Sequence, residues 1–564
     1  MEALDWLVIG VFFLALIGII VWVVRQKQND SADYFLGGRD ATWLAIGASI
    51  FASNIGSEHL IGLAGAGASS GMAMAHWEIQ GWMILILGWV FVPFYTRSMV
   101  YTMPEFLERR YNPQSRTILS VISLVSYVLT KVAVTVYAGG LVFQQVFGIK
   151  ELWGIDFFWI AAIGLVVLTA LYTIFGGMKS VLYTSVLQTP ILLLGSLIIL
   201  MLGFKELGGW DEMMRVCGAV TVNDYGDTMT NLIRSNDDAN FPWLGALIGS
   251  AIIGFWYWCT DQFIVQRVLS GKNEMEARRG TIFGAYLKLL PVFLFLIPGM
   301  IAFALHQKYI GAGGEGFLPM LENGTANADA AFPTLVAKLL PAGVKGLVVC
   351  GILAALMSSL ASLFNSSAML FTIDFYKRFR PQTSEKKLVG IGQVATVVIV
   401  ILGILWIPIM RSVGDVLYTY LQDVQSVLAP GIAAAFLLGI CWKRTSAQGG
   451  MWGLISGMVI GLTRLGAKVY YSNAGEVADS TFKYLFYDMN WLFFCGWMFL
   501  FCIIVVIVVS LATEAPTAEK IQGLVFGTAT KEQKASTRAS WNHWDIIHTV
   551  IILAITGAFY WYFW

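Results

Sequence analysis

A glycine-rich stretch near the N-terminus combines polar side chains with a backbone that cannot form one continuous helix. It runs from residue 47 to 71, GASIFASNIGSEHLIGLAGAGASSG, between apolar flanks long enough to cross a membrane. Each glycine weakens a helix by about 1 kcal/mol, and Asn54, Ser57, Glu58 and His59 place polar atoms in the middle. Irregular backbone and charge persist at membrane depth only where they are buried in protein or line a wet cavity. We therefore predict a broken helix whose free carbonyls and side chains form a binding site. A kinked helix with small residues for close packing is the alternative.

Three further apolar segments carry side chains suited to hydroxyl groups. The sequence AHWEIQGW contains Glu78, and Lys288 lies in a later apolar run. A segment from residue 243 to 266 is interrupted by glycines and contains FWYW, with Tyr257 and Trp258. Sugar hydroxyls donate and accept hydrogen bonds, so carboxylate, amide and ammonium groups suit them, and an aromatic ring suits the apolar face of a pyranose. These residues predict a site for a neutral polyol, although ordinary packing explains such aromatic runs about as often.

Paired serines form a third candidate site. The sequence LMSSLASLFNSS, residues 356–367, places Ser358 and Ser359 side by side in an apolar segment. Serines in membrane helices more often bond to their own backbone. If carbonyls of the broken helix face them, the hydroxyls complete a neutral oxygen cage, and hard cations take oxygen ligands. For the substrate itself, an anion would require an arginine fork or a free helix N-terminus. The sequence shows neither at the candidate site, which favours a neutral substrate.

The composition limits the class of protein. The chain has 564 residues, of which 57% are hydrophobic and 13% charged, so it is an integral membrane protein in contact with lipid. The formal net charge of +1 implies no nucleic-acid partner. The six cysteines are scattered without a CxxC motif, so a zinc or redox site is not expected. The first apolar run follows an acidic flank, which predicts a retained helix instead of a cleaved signal.

Apolar runs of spanning length mark about fourteen predicted crossings, on a criterion of roughly 20 residues. Their approximate bounds are 5–24, 42–69, 72–95, 117–147, 155–174, 181–204, 242–265, 281–305, 346–370, 388–410, 414–439, 451–470, 489–512 and 544–563. One set of alternate loops holds 23 of the 36 Lys and Arg residues, and the long loops 205–241 and 306–345 belong to the other set. Because cytoplasmic loops carry the basic excess, both termini are predicted outside, in a multi-pass plasma-membrane protein. The lack of paired outer cysteines favours a bacterial inner membrane.

Two long segments share one layout. Residues 42–204 and 242–439 can each hold five helices, and each opens with a glycine-interrupted helix. Because five is odd, the copies are inverted across the membrane, and interrupted helices in matching positions point to a transporter site at the midplane. The predicted organisation is an extra N-terminal helix with a cytoplasmic loop (1–41), the first repeat (42–204), an outer loop (205–241), the second repeat (242–439), flanking helices (440–512), a mobile cytoplasmic loop (513–543) and a C-terminal helix (544–564).

Eight motifs lie in order along most of residues 5–512. They are DYFLGGR (33–39), the stretch 47–71 quoted above, VYTMPEFLERRY (100–111), LYTIFGGMKSVLYTSVLQT (171–189), WYWCTDQFIVQRVLS (256–270), AYLKL (285–289), MSSLASLFNSSAMLFTIDFY (357–376) and PGIAAAFLLGICWKR (430–444). Together they resemble the solute:sodium symporter family, in particular its sodium/glucose cotransporter branch. The resemblance implies an all-α membrane fold with a five-plus-five inverted-repeat, LeuT-like core and sodium-driven alternating access.

The resemblance also implies roles for individual residues. Sodium would be bound by the carbonyls of Ala52, Ile55 and Ala355 and by the hydroxyls of Ser358 and Ser359. The sugar would be bound by Asn54, His59, Glu78, Lys288 and Gln422. The inner gate beneath the sugar would be formed by Tyr257 and Trp258.

Three positions depart from the family pattern. Relatives with a second sodium site carry an Asp where this chain has Ser185 and a hydroxyl where it has Ala361. We therefore predict one sodium per cycle. Gly254 stands where relatives place a polar Asn or Thr near the sugar, so the identity of the hexose stays open.

These features together predict a sodium-coupled symporter that imports a neutral, glucose- or galactose-like hexose. A transporter of inositol or another polyol is one alternative, and a sugar sensor or leak channel with the same fold is another. An enzyme is not expected, because no Ser/His/Asp set or HExxH motif is present. The oligomeric state is left open, with a monomer as one of the states allowed.

Overall fold

The chain is almost entirely helical in the computed structural model, which describes residues 1–26, 30–56, 58–321, 324–411, 417–473 and 478–564. The α-helices are α1 (Ala3–Arg25), α2 (Ser31–Leu36), α3 (Trp43–Asn54), α4 (Ala64–Ser70), α5 (Ala75–Glu78), α6 (Gly81–Ile86), α7 (Val92–Ser98), α8 (Met103–Arg110), α9 (Pro113–Ser126), α10 (Ala133–Phe147), α11 (Phe157–Leu207), α12 (Trp210–Gly218), α13 (Trp243–Gly254), α14 (Gln262–Leu269), α15 (Glu274–Leu287), α16 (Ile297–Gly311), α17 (Ala331–Leu339), α18 (Val344–Met369), α19 (Lys377–Phe379), α20 (Glu385–Arg411), α21 (Leu417–Cys441), α22 (Ala447–Asn473), α23 (Thr481–Lys483), α24 (Trp491–Ala512), α25 (Ala518–Ile521), α26 (Lys531–Ala539) and α27 (His543–Tyr562).

Other regular elements are short. Turns of π-helix lie at Glu58–Leu63, Leu87–Phe91, Tyr127–Val132, Phe255–Thr260, Val292–Leu296, Leu370–Tyr376 and Tyr484–Asp488, and 3₁₀ turns lie at Gly37–Arg39, Gly71–Met74 and Ala328–Ala330. Two strands, β1 (Glu151–Leu152) and β2 (Ile155–Asp156), pair antiparallel just before α11.

Ten helical segments among the described residues are long and apolar enough to cross a membrane. They are Ala3–Arg25, Glu58–Ser98, Phe157–Leu207, Trp243–Thr260, Glu274–Gly311, Val344–Phe379, Glu385–Leu405, Gln422–Cys441, Trp491–Ala512 and His543–Tyr562. A polytopic helical protein is therefore confirmed, whereas the predicted number of about fourteen crossings stays a prediction.

The helix α11 joins two predicted spans, 155–174 and 181–204, across a sharp turn. Gly177 at this turn has φ 53° and ψ −148°, which are not helical angles. Glycine adopts positive φ at no steric cost, and a Cβ here would lie 2.4 Å from the carbonyl oxygen of Tyr34. The 51-residue helix is therefore two helices that meet at Gly177.

The helix α3 ends in the middle of the packed core. Its last helical residue is Asn54, and Ile55 has the extended angles φ −81° and ψ 103°. Helical structure resumes at Glu58, and Ser57 lies outside the described residues. The last four carbonyls of a helix have no intrahelical partner, which leaves polar backbone atoms in a buried region. The break predicted from the glycine-rich stretch is confirmed.

The second interrupted segment breaks later than its glycines indicate. The helix α13 passes at Gly254 directly into π-helical turns, and the extended residue is Asp261, with φ −77° and ψ 128°. Asp261 caps α14, because its carboxylate accepts a hydrogen bond from the backbone N–H of Phe263 at 3.2 Å. The interruption therefore follows the aromatic run of this segment.

The helix α18 carries the paired serines through the centre of the molecule. The hydroxyls of Ser362 and Ser53 lie 2.6 Å apart and join α18 to α3. On another side, the Tyr172 hydroxyl donates to the Met357 carbonyl at 2.8 Å and joins α18 to α11. The broken end of α3 and the serine-bearing helix are thus held side by side.

The segment 513–543, which is predicted to be a mobile cytoplasmic loop, is packed against the helical bundle. It contains α25 and α26. The Arg97 guanidinium donates to the Thr537 hydroxyl, and the Lys520 ammonium donates to the Glu108 carbonyl at 3.1 Å. These contacts bind the segment to the ends of α7 and α8, and its mobility and its cytoplasmic side stay predictions.

Both chain ends contact the long loops that were predicted to lie outside. The Asp5 carboxylate accepts a hydrogen bond from the backbone N–H of Gly343 at 2.7 Å. Near the C-terminus, the Phe563 carbonyl accepts from the backbone N–H of Leu232 at 3.0 Å. Each terminus therefore contacts a loop from the set that contains fewer Lys and Arg residues.

Candidate functional site

A buried cavity lies where the two broken helices meet. All five predicted sugar-binding residues line it, and so do both predicted gate residues: Asn54, His59, Glu78, Lys288, Gln422, Tyr257 and Trp258. Four lining residues are ionisable carboxylates or ammoniums: Glu58, Glu78, Lys131 and Lys288. Lys288 pairs with Glu78, and Lys131 pairs with Asp261, which lies next to the lining.

Lys288 is the centre of a hydrogen-bond network in the cavity. Its ammonium donates to the Glu78 carboxylate at 2.6 Å and to the Asn54 side-chain oxygen at 3.1 Å. The Asn54 amide in turn donates to the Tyr257 hydroxyl at 3.1 Å, and His59 Nε2 lies 3.4 Å from the same Glu78 oxygen. A single buried charge is costly, whereas a hydrogen-bonded pair is tolerated. The sequence indicated these residues one by one, and the structure shows that they form one connected group.

An interruption of the helix turns two polar side chains towards the cavity. Glu78 and Gln80 both line it, although residues two apart in a continuous helix point about 200° apart. Here α5 ends at Glu78, and Ile79 and Gln80 have ψ 23° and 22° before α6 begins at Gly81. The sequence AHWEIQGW places Gln80 close to Glu78 in the chain, but Gln80 is not in the predicted sugar-binding set.

The predicted sodium ligands lie on two adjacent buried helices. Ala52 and Ile55 are at the C-terminal end of α3, where the last carbonyls lack intrahelical partners. Ala355, Ser358 and Ser359 lie on α18 and are buried. Of this set, Ser359 also lines the cavity. Carbonyl and hydroxyl oxygens can hold a hard monovalent cation, and the arrangement would place such a cation at the border of the cavity.

Two serine hydroxyls lie near Ser185, the position at which the family resemblance predicts an Asp when a second sodium site is present. The Ser185 hydroxyl lies 3.3 Å from that of Ser358 and 3.5 Å from that of Ser49, and it donates to the Val181 carbonyl at 2.6 Å. Ala361, the other departure, is buried on α18 and offers no side-chain oxygen. These contacts therefore supply hydroxyls at this position, without the negative charge of an Asp.

A second buried ion pair, Lys131 with Asp261, lies beside the cavity. The sequence did not indicate that these two residues would pair. The Lys131 ammonium donates to the Asp261 carboxylate at 2.6 Å, and the Tyr127 hydroxyl donates to the other oxygen of that carboxylate. The ammonium also lies 4.7 Å from the ring centroid of Tyr257. Because Asp261 caps α14 at the second break, this pair ties the break to the π-helical turn before α10.

Gln422 has a neighbour on the same helix face. It lies on α21, is buried, and lines the cavity together with Gln425. Residues three apart share one face of a helix, so this spacing could have indicated Gln425 as well. Residues 412–416, which precede α21, lie outside the described residues.

Comparison with known proteins adds evidence from the whole chain. The profile of the Sodium:solute symporter family matches residues 34–457. The chain is 36% identical over 542 residues to Sodium/myo-inositol cotransporter 2 of Homo sapiens, which covers 94% of this chain and 79% of that protein. It is 36% identical over 560 residues to Sodium/glucose cotransporter 4 of Danio rerio, which covers 96% of this chain and 84% of that protein.

A solved structure of a Na⁺-coupled sialic acid symporter, in a substrate-bound outward-open state, shares the fold. It superimposes with a TM-score of 0.72 at 22% sequence identity, and the match covers 92% of this chain and 99% of that one. At this identity the likeness shows a common helical architecture, which confirms the predicted LeuT-like fold class.

Proposed function

The chain belongs to the sodium:solute symporter family, and from this membership and the cavity geometry we propose that it couples sodium to the import of a neutral cyclic polyol. Sodium-coupled solute symport follows from the family. The proposal concerns the solute, the residues that bind it and the number of sodium ions.

The observation that carries the polyol proposal is the network of Glu78, Lys288, Asn54 and Tyr257. It offers a carboxylate and an amide oxygen as acceptors and an ammonium, an amide and a hydroxyl as donors, which matches groups that both donate and accept. Both lining ammoniums are already paired with carboxylates, so an anionic solute would find neither of them free, which favours a neutral solute. The Trp258 ring centroid lies 5.4 Å from the Lys288 ammonium, so an aromatic surface is next to these polar groups and can contact the apolar face of a ring.

A glucose- or galactose-like hexose is the first candidate, since it fits both hydroxyl recognition and aromatic stacking. Myo-inositol is the second candidate, and the names of several relatives favour it. The two solutes present similar rings of hydroxyls, so the network alone does not separate them.

We place the single sodium ion between the end of α3 and the Ser358–Ser359 pair. Ala52 and Ile55 flank Asn54 within one turn of chain, so an ion bound to their carbonyls would hold Asn54 in its polyol-binding orientation. Release of the ion on the inner side would free the end of α3 and loosen the site. The membrane potential would contribute about 2.3 kcal/mol per transported charge for each 100 mV.

The termini are proposed to lie outside, in the plasma membrane. Both ends contact loops opposite to the basic ones, and the basic loops are cytoplasmic by the positive-inside rule. Epitope tags added at each end should bind antibody on intact cells. Binding only after permeabilisation would reverse the assigned orientation.

Tracer uptake into proteoliposomes tests the proposal. An inward sodium gradient should drive accumulation of labelled glucose, galactose or myo-inositol, and replacement of sodium by choline should abolish it. A competition panel of unlabelled sugars and inositols then ranks the solutes. Accumulation that does not depend on sodium would refute the coupling, and failure of every polyol would refute the proposed substrate class.

Substitutions assign the two sites. Ser359→Ala should abolish the sodium dependence of uptake, and Ser367→Ala, a buried serine on the same helix that does not line the cavity, is the matched control. Gln422→Ala should raise the KM for the polyol and leave sodium activation intact.

The ratio of sodium-22 flux to polyol flux should be one. A ratio of two would contradict the single-ion proposal.

A sensor or leak channel remains a distinct outcome of the same experiments. Sodium currents gated by a polyol without net polyol uptake would favour it.

A further inference from the structure

Gln80 lies in the cavity wall between two elements that the polyol site needs. Its side chain is 3% exposed. Its amide nitrogen donates to the Ser250 carbonyl at 2.8 Å, and its amide oxygen accepts a hydrogen bond from the indole N–H of Trp258 at 3.2 Å. Gln80 therefore connects the backbone of α13 to the ring that faces Lys288.

The amide fits because residue 254 has no side chain. An ideal Cβ at Gly254 would lie 2.7 Å from the Gln80 oxygen and 3.0 Å from its nitrogen. Gly254 has φ −62° and ψ −41°, which are ordinary helical angles. The backbone conformation therefore does not require glycine, and glycine in a helix costs stability relative to alanine. The contact with Gln80 is the feature of the structure that explains the glycine.

The indole of Trp258 has a restricted orientation as a result. A buried indole N–H normally has a hydrogen-bond partner, and Gln80 supplies it here. With that end fixed, the ring keeps its place beside the Lys288 ammonium. A ring that lost this bond could tilt, and the surface offered to one face of a bound polyol would change.

We infer that Gln80 is a positioning residue, which orients Trp258 and thereby sets the selectivity of the site among polyols, and that Gly254 provides the space for its amide. This inference rests on the proposed polyol function. Gln80 acts through Trp258 and belongs to neither the predicted sodium set nor the predicted sugar set.

The test uses Gln80→Met, which keeps the size of the side chain and removes both hydrogen bonds, and Gly254→Ala, which adds one methyl group against the amide. In each variant the KM for the preferred polyol should rise about three- to tenfold, the effect of one lost hydrogen bond. The sodium activation constant and the maximal rate should stay near their wild-type values. Competition by glucose, galactose, myo-inositol and scyllo-inositol should become less selective.

A double substitution distinguishes positioning from general damage. Phenylalanine has no N–H, so Gln80→Met should add little to the effect of Trp258→Phe. Fully additive effects would overturn the inference, as would an unchanged KM and competition profile in Gln80→Met at normal membrane abundance. If Gln80→Met does not reach the membrane, Gly254→Ala decides by the same criteria, because its clash is with the tip of a flexible side chain. If the wild type takes up the polyol and both variants keep its KM and competition profile, this inference alone fails. If the wild type takes up no polyol, the proposed function fails.

Discussion

Replacing Glu78 by glutamine should damage both stability and polyol binding, because it removes one member of a buried ion pair. The Glu78 and Lys288 side chains are 1% and 3% exposed, and their charged atoms are 2.6 Å apart. Removal of one partner of such a pair costs about 3–5 kcal/mol, since the other charge stays buried without compensation. In Glu78→Gln the Lys288 ammonium keeps its 3.1 Å contact with the Asn54 oxygen, which places the expected cost at the lower end of that range.

The effect on binding can be separated from the effect on folding. A hydrogen bond to a charged group contributes about 1.5–3 kcal/mol, so loss of the carboxylate should raise the KM for the polyol about 10- to 150-fold. Thermal stability would be followed by size-exclusion chromatography after heating, and KM by sodium-driven tracer uptake in proteoliposomes at matched protein abundance.

The double variant Glu78→Gln/Lys288→Met provides the decisive control. It removes both charges, so it should recover most of the lost thermal stability, because a buried pair can be replaced by uncharged groups of similar volume at little cost. It should not recover uptake if the pair binds the polyol. Near-normal KM in Glu78→Gln, or near-normal uptake by the double variant, would show that the pair is structural and would refute its role in the site.

Three other predictions test separate features. Lys131→Met leaves the Asp261 carboxylate buried without its 2.6 Å partner, so it should lower the stability by about 3–5 kcal/mol. Adding Asp261→Asn should restore part of this loss. If the single and the double variant are both as stable as the wild type, the pair contributes nothing to stability. Burial raises the pKa of the Cys217 thiol to about 12, so little thiolate forms at neutral pH and a membrane-impermeant maleimide should leave it unlabelled on intact cells; rapid labelling would contradict its buried position. Gly177→Ala adds a Cβ 2.4 Å from the Tyr34 carbonyl at a residue with φ 53°, so the amount of folded protein should fall; normal abundance would refute the sharp turn inside α11.

The first helix break was predictable because its cause is local. Glycines and polar residues in the stretch 47–71 lower helix stability where they stand, and the structure ends α3 at Asn54. The second break lies within the predicted segment 243–266 but after its glycines, since the glycines of α13 are all helical. Asp261 could have indicated the correct position, because Asp is a favoured residue at helix N-caps. A capping box of Thr530 and Gln533 likewise marks the start of α26, in a segment expected to be a loop.

The partners of buried charges were not predictable from spacing. Lys131 and Asp261 lie 130 positions apart, and Lys288 and Glu78 lie 210 positions apart. Sequence reasoning states only that each charge must be paired or hydrated inside a membrane, and the choice of partner depends on how the helices pack. The sequence AHWEIQGW places Gln80 near Glu78, but its hydrogen bonds to Ser250 and Trp258 depend on helix packing in the same way.

The position of the break in α3 bears directly on coupling. Ala52 and Asn54 are two residues apart, and in a longer helix their side chains would point about 200° apart while the Ala52 carbonyl would be bonded to residue 56. The chain instead leaves the helix at Ile55, so the same turn can offer carbonyls to an ion and the Asn54 amide to the network around Lys288. Under the proposed site assignments, the ion and the polyol would both depend on one short piece of backbone. Order imposed on this backbone by one ligand would then favour the other, and by linkage each would raise the affinity for its partner by the same factor.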